Sequence, residues 1–181
     1  MAHIISYGGI TPRVHPTAFL APTAVLIGDV VVGEEASIWF GAVLRGDHPD
    51  HGIRIGPRSS IQDNCVLHVS GHGPTVVEEG ATIGHGAIFE SAVVGRRALV
   101  GMNAVLLHGC VIGEEALVAA LSMVPEGMRV PPRTLVAGAP ARVRKELSGE
   151  SAEWIRMSAE HYVELSRSYL REGVGRVASE G

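Results

Sequence analysis

An aliphatic residue returns at intervals of six along most of this chain, and no other feature limits its fold so strongly. Val14, Leu20, Leu26, Val32, Ile38 and Leu44 keep strict steps of six. The pattern pauses over 47–54 and resumes with Ile55, Ile61 and Val66. It pauses again over 69–76 and continues as Val77, Ile83 and Ile88. From Val94 it runs through Val100, Leu106, Ile112, Val118, Val124, Val130 and Val136. Four residues after most of these comes a small one, among them Ala18, Ala24, Ala36, Ala42, Ser59, Cys65, Ala81, Ala98, Ala104 and Cys110. One large and one small inward side chain per six residues describes a narrow triangular coil with three short faces. About 18 residues then make one turn, and stacked turns sit about 4.8 Å apart as parallel strands.

Read this way, two coils are one residue short, at Ile61 to Val66 and at Ile83 to Ile88. The pauses are loops pushed out at corners. The composition agrees. Hydrophobic residues make up 46% of the chain but aromatics only 4%, so small and branched aliphatics must fill the interior. Cys65 and Cys110 fall at the inward small position and read as core thiols, with no disulfide framework. The expected class is all-β: a parallel β-helix over 11–140, followed by a C-terminal α-helix over 147–171. Ser148 is the expected N-cap. Ile155, Tyr162 and Tyr169, with Trp154, His161 and Leu165 beside them, form an apolar stripe suited to lie along the β-helix. The closing GVGRVASEG is expected to fray.

A formal charge of −4 and no basic block speak against nucleic acid as a partner. No apolar run approaches the roughly 18 residues that span a bilayer, and the first residues lack a signal-peptide pattern. A cytoplasmic protein is expected.

The repeat also gives a coordinate system for outward residues. Positions two and three after each aliphatic point away from the interior. On the third face this file reads Gly28, Gly46, His68, Glu90, His108; on the second it reads Phe40, Asp63, His85, Met102. His68, Glu90 and His108 are thus expected one above another. His85 points off a neighbouring face, so a second subunit would have to bring it to the same place, as threefold packing does. A catalytic zinc takes three protein ligands from His, Asp or Glu and leaves one position open. His68 and Glu90 from one chain with His85 from another meet that count. His48, His51 and His72 lie in the two loops.

Several segments carry a resemblance: HPTAFLAPTAVLIGDV at 15–30, AVLRGD at 42–47, SIQDNCVLHV at 60–69, TIGHGAIFES at 82–91 and ALVGMNAVLLHGCVIG at 98–113. Together they resemble the γ-class carbonic anhydrase family, including its branch named for phenylacetate degradation, over nearly the whole chain. The resemblance implies a left-handed β-helix, a homotrimer, and Zn2+ at each subunit interface, with Fe2+ or Co2+ as other occupants. His68 and His85 match two of the three family metal ligands. Arg45, Asp47, Gln62 and Asp63 match the polar residues around that site, with Arg45 and Asp63 paired between subunits and Gln62 orienting the metal-bound water. Tyr162 matches a C-terminal helix residue near the site.

One departure matters. The family places a third His five residues after the second, where this chain has Glu90. Glu90 replaces it as ligand, or His108 joins His85 from the neighbour, or the site binds metal poorly. The first reading is preferred. Its function would be carbon dioxide hydration, a lyase reaction, by zinc-bound hydroxide. The added negative charge would make that activity weak and stronger toward alkaline pH. Two alternatives stand beside it: a hexapeptide acyltransferase or thioesterase acting on a coenzyme A compound, and a metal-binding trimer without catalysis.

Overall fold

The computed structural model describes residues 1–175, and the expectation of fraying beyond 175 lies outside the described residues. The chain is a left-handed solenoid of three parallel sheets. The third face runs from His3–Ile5 through Val43–Gly46, Val66–His68 and Ile88–Glu90 to Met123–Val124. The first face runs from Arg13–Val14 to Arg129–Val130, and the second from Phe19–Leu20 to Thr134–Gly138. Each strand pairs in parallel with the one a coil above it, as in Val43, Val66, Ile88 and Val105. The inward side chains therefore form apolar ladders: Leu26, Leu44, Leu67, Phe89 and Leu106 stack on the third face, all buried.

That ladder corrects the expected register. Val66 and Ile88 are not the inward residues; they are 37% and 49% exposed, while Leu67 and Phe89 are buried. The step of six holds from Ile61 to Leu67 and from Ile83 to Phe89. The short step comes one corner later, between Phe89 and Val94, where buried Ala92 takes the small position. Val-Leu and Ile-Phe pairs offer two apolar candidates each, and pairing across coils chooses the one that meets Leu44. The loops are also shorter than the pauses in the pattern, because pairing resumes at Ile53 and at Thr75. Asp29 anchors the first loop through Arg54, with Nη2 donating to Oδ2 at 2.6 Å.

Corners need a left-handed backbone residue. Where the second face ends, Gly41, Asn64, Gly86 and Asn103 all take positive φ, between 53° and 71°. Asn is one of the few residues that tolerates this region. Gly86 has a further reason: a Cβ there would lie 2.2 Å from the Asn103 side-chain oxygen. These corners directly follow Asp63 and His85 and fix where those side chains leave the coil.

The solenoid ends in a feature the repeat does not encode. After Pro140 the chain reverses, and Ala141–Glu146 pairs antiparallel with Thr134–Gly138. The helix then runs Glu150–Arg171. Ser148 does not cap it. Gly149 holds the N-cap position with φ 57° and no side-chain bond, and Glu150 and Glu153 in the first turn suit the helix dipole. Ile155, Ala159, Val163 and Ser166 face the second face, while Trp154 is 57% exposed. Tyr162, Leu165 and Tyr169 pack on Phe19 and Trp39, whose indole N–H donates to Ser37 and Ser60 at 3.0 Å each. Val174 joins this cluster and Leu20 donates its N–H to the Gly175 carbonyl, so the first residues of the closing segment dock instead of fraying. Among the described residues no helix is long and apolar enough to cross a membrane.

Phe89→Ala should cost about 3–5 kcal/mol in chemical unfolding, as expected for a buried aromatic, whereas Ile88→Ala should cost less than half as much. Equal costs would return the inward role to Ile88.

Candidate functional site

Two outward groups hold the residues singled out by the sequence. On the third face, strand pairing places Arg45, His68 and Glu90 side by side on successive coils. His68 Nδ1 lies 3.1 Å from Glu90 Oε2 and its Nε2 lies 3.2 Å from Asp47 Oδ1. Asp47 in turn accepts from Arg45 Nη1 at 2.6 Å. The result is a hydrogen-bonded row, Arg45, Asp47, His68, Glu90, in which donors and carboxylates alternate. A neutral imidazole donates to one of its two carboxylates and an imidazolium to both.

Each carboxyl in this row titrates low. For Asp47, burial pushes upward, but the Arg45 hydrogen bond and charge, with the His68 contact, outweigh it. For Glu90, the hydrogen bonds from His68 and Ser70 hold the carboxyl below its ordinary range, against a smaller effect of burial.

His108 does not join this row. Ile88 pairs with Val105 and Phe89 with Leu106, so the place above Glu90 falls to Leu107. His108 is set one residue further along and contacts His72 and Glu126 instead. The expected column of His68, Glu90 and His108 is thus the column of Arg45, His68 and Glu90. Arg45 was legible as a polar neighbour but not as the residue stacked on His68, because the register was read one residue off.

On the second face, His85 Nδ1 lies 2.7 Å from Asp63 Oδ2. Asp63 also accepts from the Phe40 N–H at 3.1 Å, which fixes its carboxylate. Within the chain, then, Arg45 pairs with Asp47, and Asp63 is taken by His85. Gln62 is 5% exposed and its Oε1 accepts from the His85 N–H at 3.1 Å. Tyr162 comes in from the helix. Burial raises its phenol above the usual value, the Asp63 charge adds to this, and the Gln62 amide pulls the other way. It therefore stays a neutral O–H donor at physiological pH.

Gln62, His85 and Tyr162, with Thr82, Ser158 and His161, are polar lining residues of a cavity of about 600 Å³ between the helix and the second face. Leu99, Leu117, Met102, Trp154 and Met157 supply its apolar walls. The sequence stripe pointed to a helix on the solenoid; it gave no sign that the two would stand apart far enough to leave this space. Cys65 and Cys110 are buried thiols, pushed up to about 12 by burial, and take no part.

The third-face donors suit a divalent cation in kind, since imidazole and carboxylate stand on adjacent rungs. His85 leaves a different face, so within a single chain His68 and Glu90 would be the only two of the expected three ligands.

Comparison with known proteins places the chain. It is 45% identical over 162 residues to the carnitine operon protein CaiE of Escherichia coli K12, covering 88% of this chain and 81% of that protein. The chain belongs to the CaiE family of hexapeptide-repeat proteins. A Bacillus cereus structure solved as a candidate acetyltransferase shares 40% identity with a TM-score of 0.90, over 93% of this chain and 96% of that one. A hexapeptide transferase family protein from Anaplasma phagocytophilum shares 40% identity with a TM-score of 0.88, over 92% and 98% of the two chains. A hexapeptide-repeat acetyltransferase of Vibrio cholerae, solved with acetyl coenzyme A, is 26% identical with a TM-score of 0.53, over 65% of this chain and 71% of that one. No family model matches the chain.

Because both third-face carboxyls titrate below their ordinary range, their stabilisation is complete above the unfolded carboxylate values and is lost as pH falls through the lower folded ones. Asp47→Asn and Glu90→Gln should each destabilise the protein at pH 7 by less than about 1 kcal/mol. In thermal melts across pH, the gap to wild type should close below about pH 4. A gap that persists to pH 2 would assign the loss to packing.

Proposed function

We propose that this chain is an acyl-group enzyme, a transferase or thioesterase acting on a coenzyme A compound, centred on His85. The observation that carries the reading is the cavity of about 600 Å³ with apolar walls and with His85, Gln62 and Tyr162 in its lining. Such a volume lies in the range of about 300–1,000 Å³ typical of organic ligands and far exceeds what carbon dioxide needs. The likeness to transferase structures, one of them solved with acetyl coenzyme A, supports the same substrate class.

The chemistry follows from the His85–Asp63 pair. The Asp63 carboxylate, 2.7 Å from His85 Nδ1, favours the tautomer with the proton on that nitrogen and so leaves Nε2 as the base. Nε2 takes a proton from water or an acceptor amine or alcohol as that nucleophile attacks the thioester carbonyl. The carbon–sulfur bond then breaks, and the protonated imidazole returns the proton to the departing thiolate. Tyr162, a neutral donor, and the Gln62 amide N–H would meet the carbonyl oxygen as it gathers charge. The apolar walls hold the acyl chain.

A second reading, the γ-class carbonic anhydrase one, is favoured by a different observation: His68 and Glu90 on adjacent rungs of the third face. In a homotrimer that set the second face of one chain against the third of the next, His68 and Glu90 would hold a divalent cation, Zn2+ or Fe2+ or Co2+, together with His85 of the neighbour. When bound, that ion would supply activated water for carbon dioxide hydration. Arg45 and Asp47 would hold His68 in place.

The two readings separate in one series. Purified protein is assayed for thiol release from acetyl and longer acyl coenzyme A compounds, for carbon dioxide hydration, and for metal content. On the first reading His85→Ala lowers thioester turnover about 10²–10⁴-fold. Met102→Trp, which fills the cavity, should raise KM for long acyl chains more than for acetyl. Carbon dioxide hydration that disappears with His68→Ala, alongside no thioester turnover, would install the second reading instead.

A further inference from the structure

Away from both groups, a third set of ligating side chains gathers where the third face turns into the first. It comprises His72, His108 and Glu126, and their three ligand atoms lie within 4.8 Å of one another. His108 Nε2 is 3.2 Å from Glu126 Oε1, and the His72 and His108 rings stack with centroids 4.0 Å apart and 20° between planes. Nothing in their spacing joins them, since His72 belongs to the 69–76 loop and the other two to later coils.

The loop is built so as to bring His72 there. Ser91, on the coil between, receives the Ser70 N–H at 3.0 Å and donates its hydroxyl to the Gly73 carbonyl at 2.9 Å. Ser70 Oγ accepts the His72 N–H at 3.3 Å. Thr75 donates to the His68 carbonyl and closes the loop base. The loop is thereby folded upward over Ser91 and lays its imidazole on His108. The Glu126 coil is tied to the same corner, with the Gly127 N–H donating to the His108 carbonyl at 3.1 Å.

We propose that His72, His108 and Glu126 form a divalent-cation site of the zinc class, separate from the His68 group. Two imidazoles and one carboxylate are the donor set of three-ligand zinc sites that keep an open position. Ligand atoms around a tetrahedral zinc at about 2.0–2.1 Å stand about 3.3 Å from each other. The His108–Glu126 distance already matches, and His72, whose ring lies stacked on that of His108, reaches the same ion by turning about its side-chain torsions. The bound ion ties the 69–76 loop to the two coils above it. Because that loop leaves the coil directly after His68, occupancy here sets the order of the segment beside the third-face row.

The test is calorimetric titration of metal-stripped, full-length protein with Zn2+. Wild type, His85→Ala, His72→Ala and Glu126→Gln are compared, with circular dichroism confirming that each is folded. His72 and Glu126 are exposed, so these two substitutions leave the core untouched. The expected result is that His85→Ala retains one Zn2+ per chain at this site. His72→Ala and Glu126→Gln should each weaken that event at least about tenfold, since a direct ligand matters no less than the groups that orient one. Zn2+ should also slow proteolysis of the 69–76 loop in wild type and not in His72→Ala. Binding by His72→Ala and Glu126→Gln that equals wild type would overturn the proposal. So would the loss of all Zn2+ binding in His85→Ala.

Discussion

Everything in this molecule hangs on rung-to-rung pairing between parallel strands. Each strand is only two to five residues long in the solenoid and would have no stability alone. Stacking gives each one a partner above and below and lines up its inward side chain with those of the neighbouring coils. Leu26, Leu44, Leu67, Phe89 and Leu106 are one such ladder, and two more run up the other faces. The interior holds almost nothing else, which is why so few aromatics suffice.

The same pairing makes the outer surface an addressed grid. A residue's chemistry depends on which rung and which face it occupies, and neighbours lie one rung apart regardless of distance in sequence. His68 meets Glu90 across 22 positions and Asp63 meets His85 across the same interval. Insertions do not disturb this, because the two loops leave at corners and the ladder resumes after them. The family can thus vary the loops and single outward residues while the scaffold holds them in place.

The architecture was readable from the spacing of Val, Ile and Leu, and the handedness came with the family resemblance. Register was not fully readable. Val66-Leu67 and Ile88-Phe89 each offer two adjacent apolar residues, and only pairing with Leu44 decides which one turns in. That one-residue choice moved His108 out of the Glu90 row and put Arg45 into it. The antiparallel strand after Pro140 and the cavity under the helix were also hidden, since neither belongs to the repeat. Gln62, Asp63, His85 and Tyr162 were readable as site residues, but not the contact of Asp63 with His85 in its own chain, because it joins two coils across a corner.

The helix has a mechanical consequence. It leaves the last coil, where Leu147 and Ile155 pack near Leu99, Leu117 and Leu135, and returns to the first, where Tyr169 and Val174 meet Phe19. A solenoid without such a return could peel from either end, one coil at a time. Here the helix acts as a strut bolted at both ends of the stack. Loosening the first coil means releasing the tail of the helix, and that strain passes along it to the opposite end. A structure that is linear in its repeats is in this way made to melt as a unit.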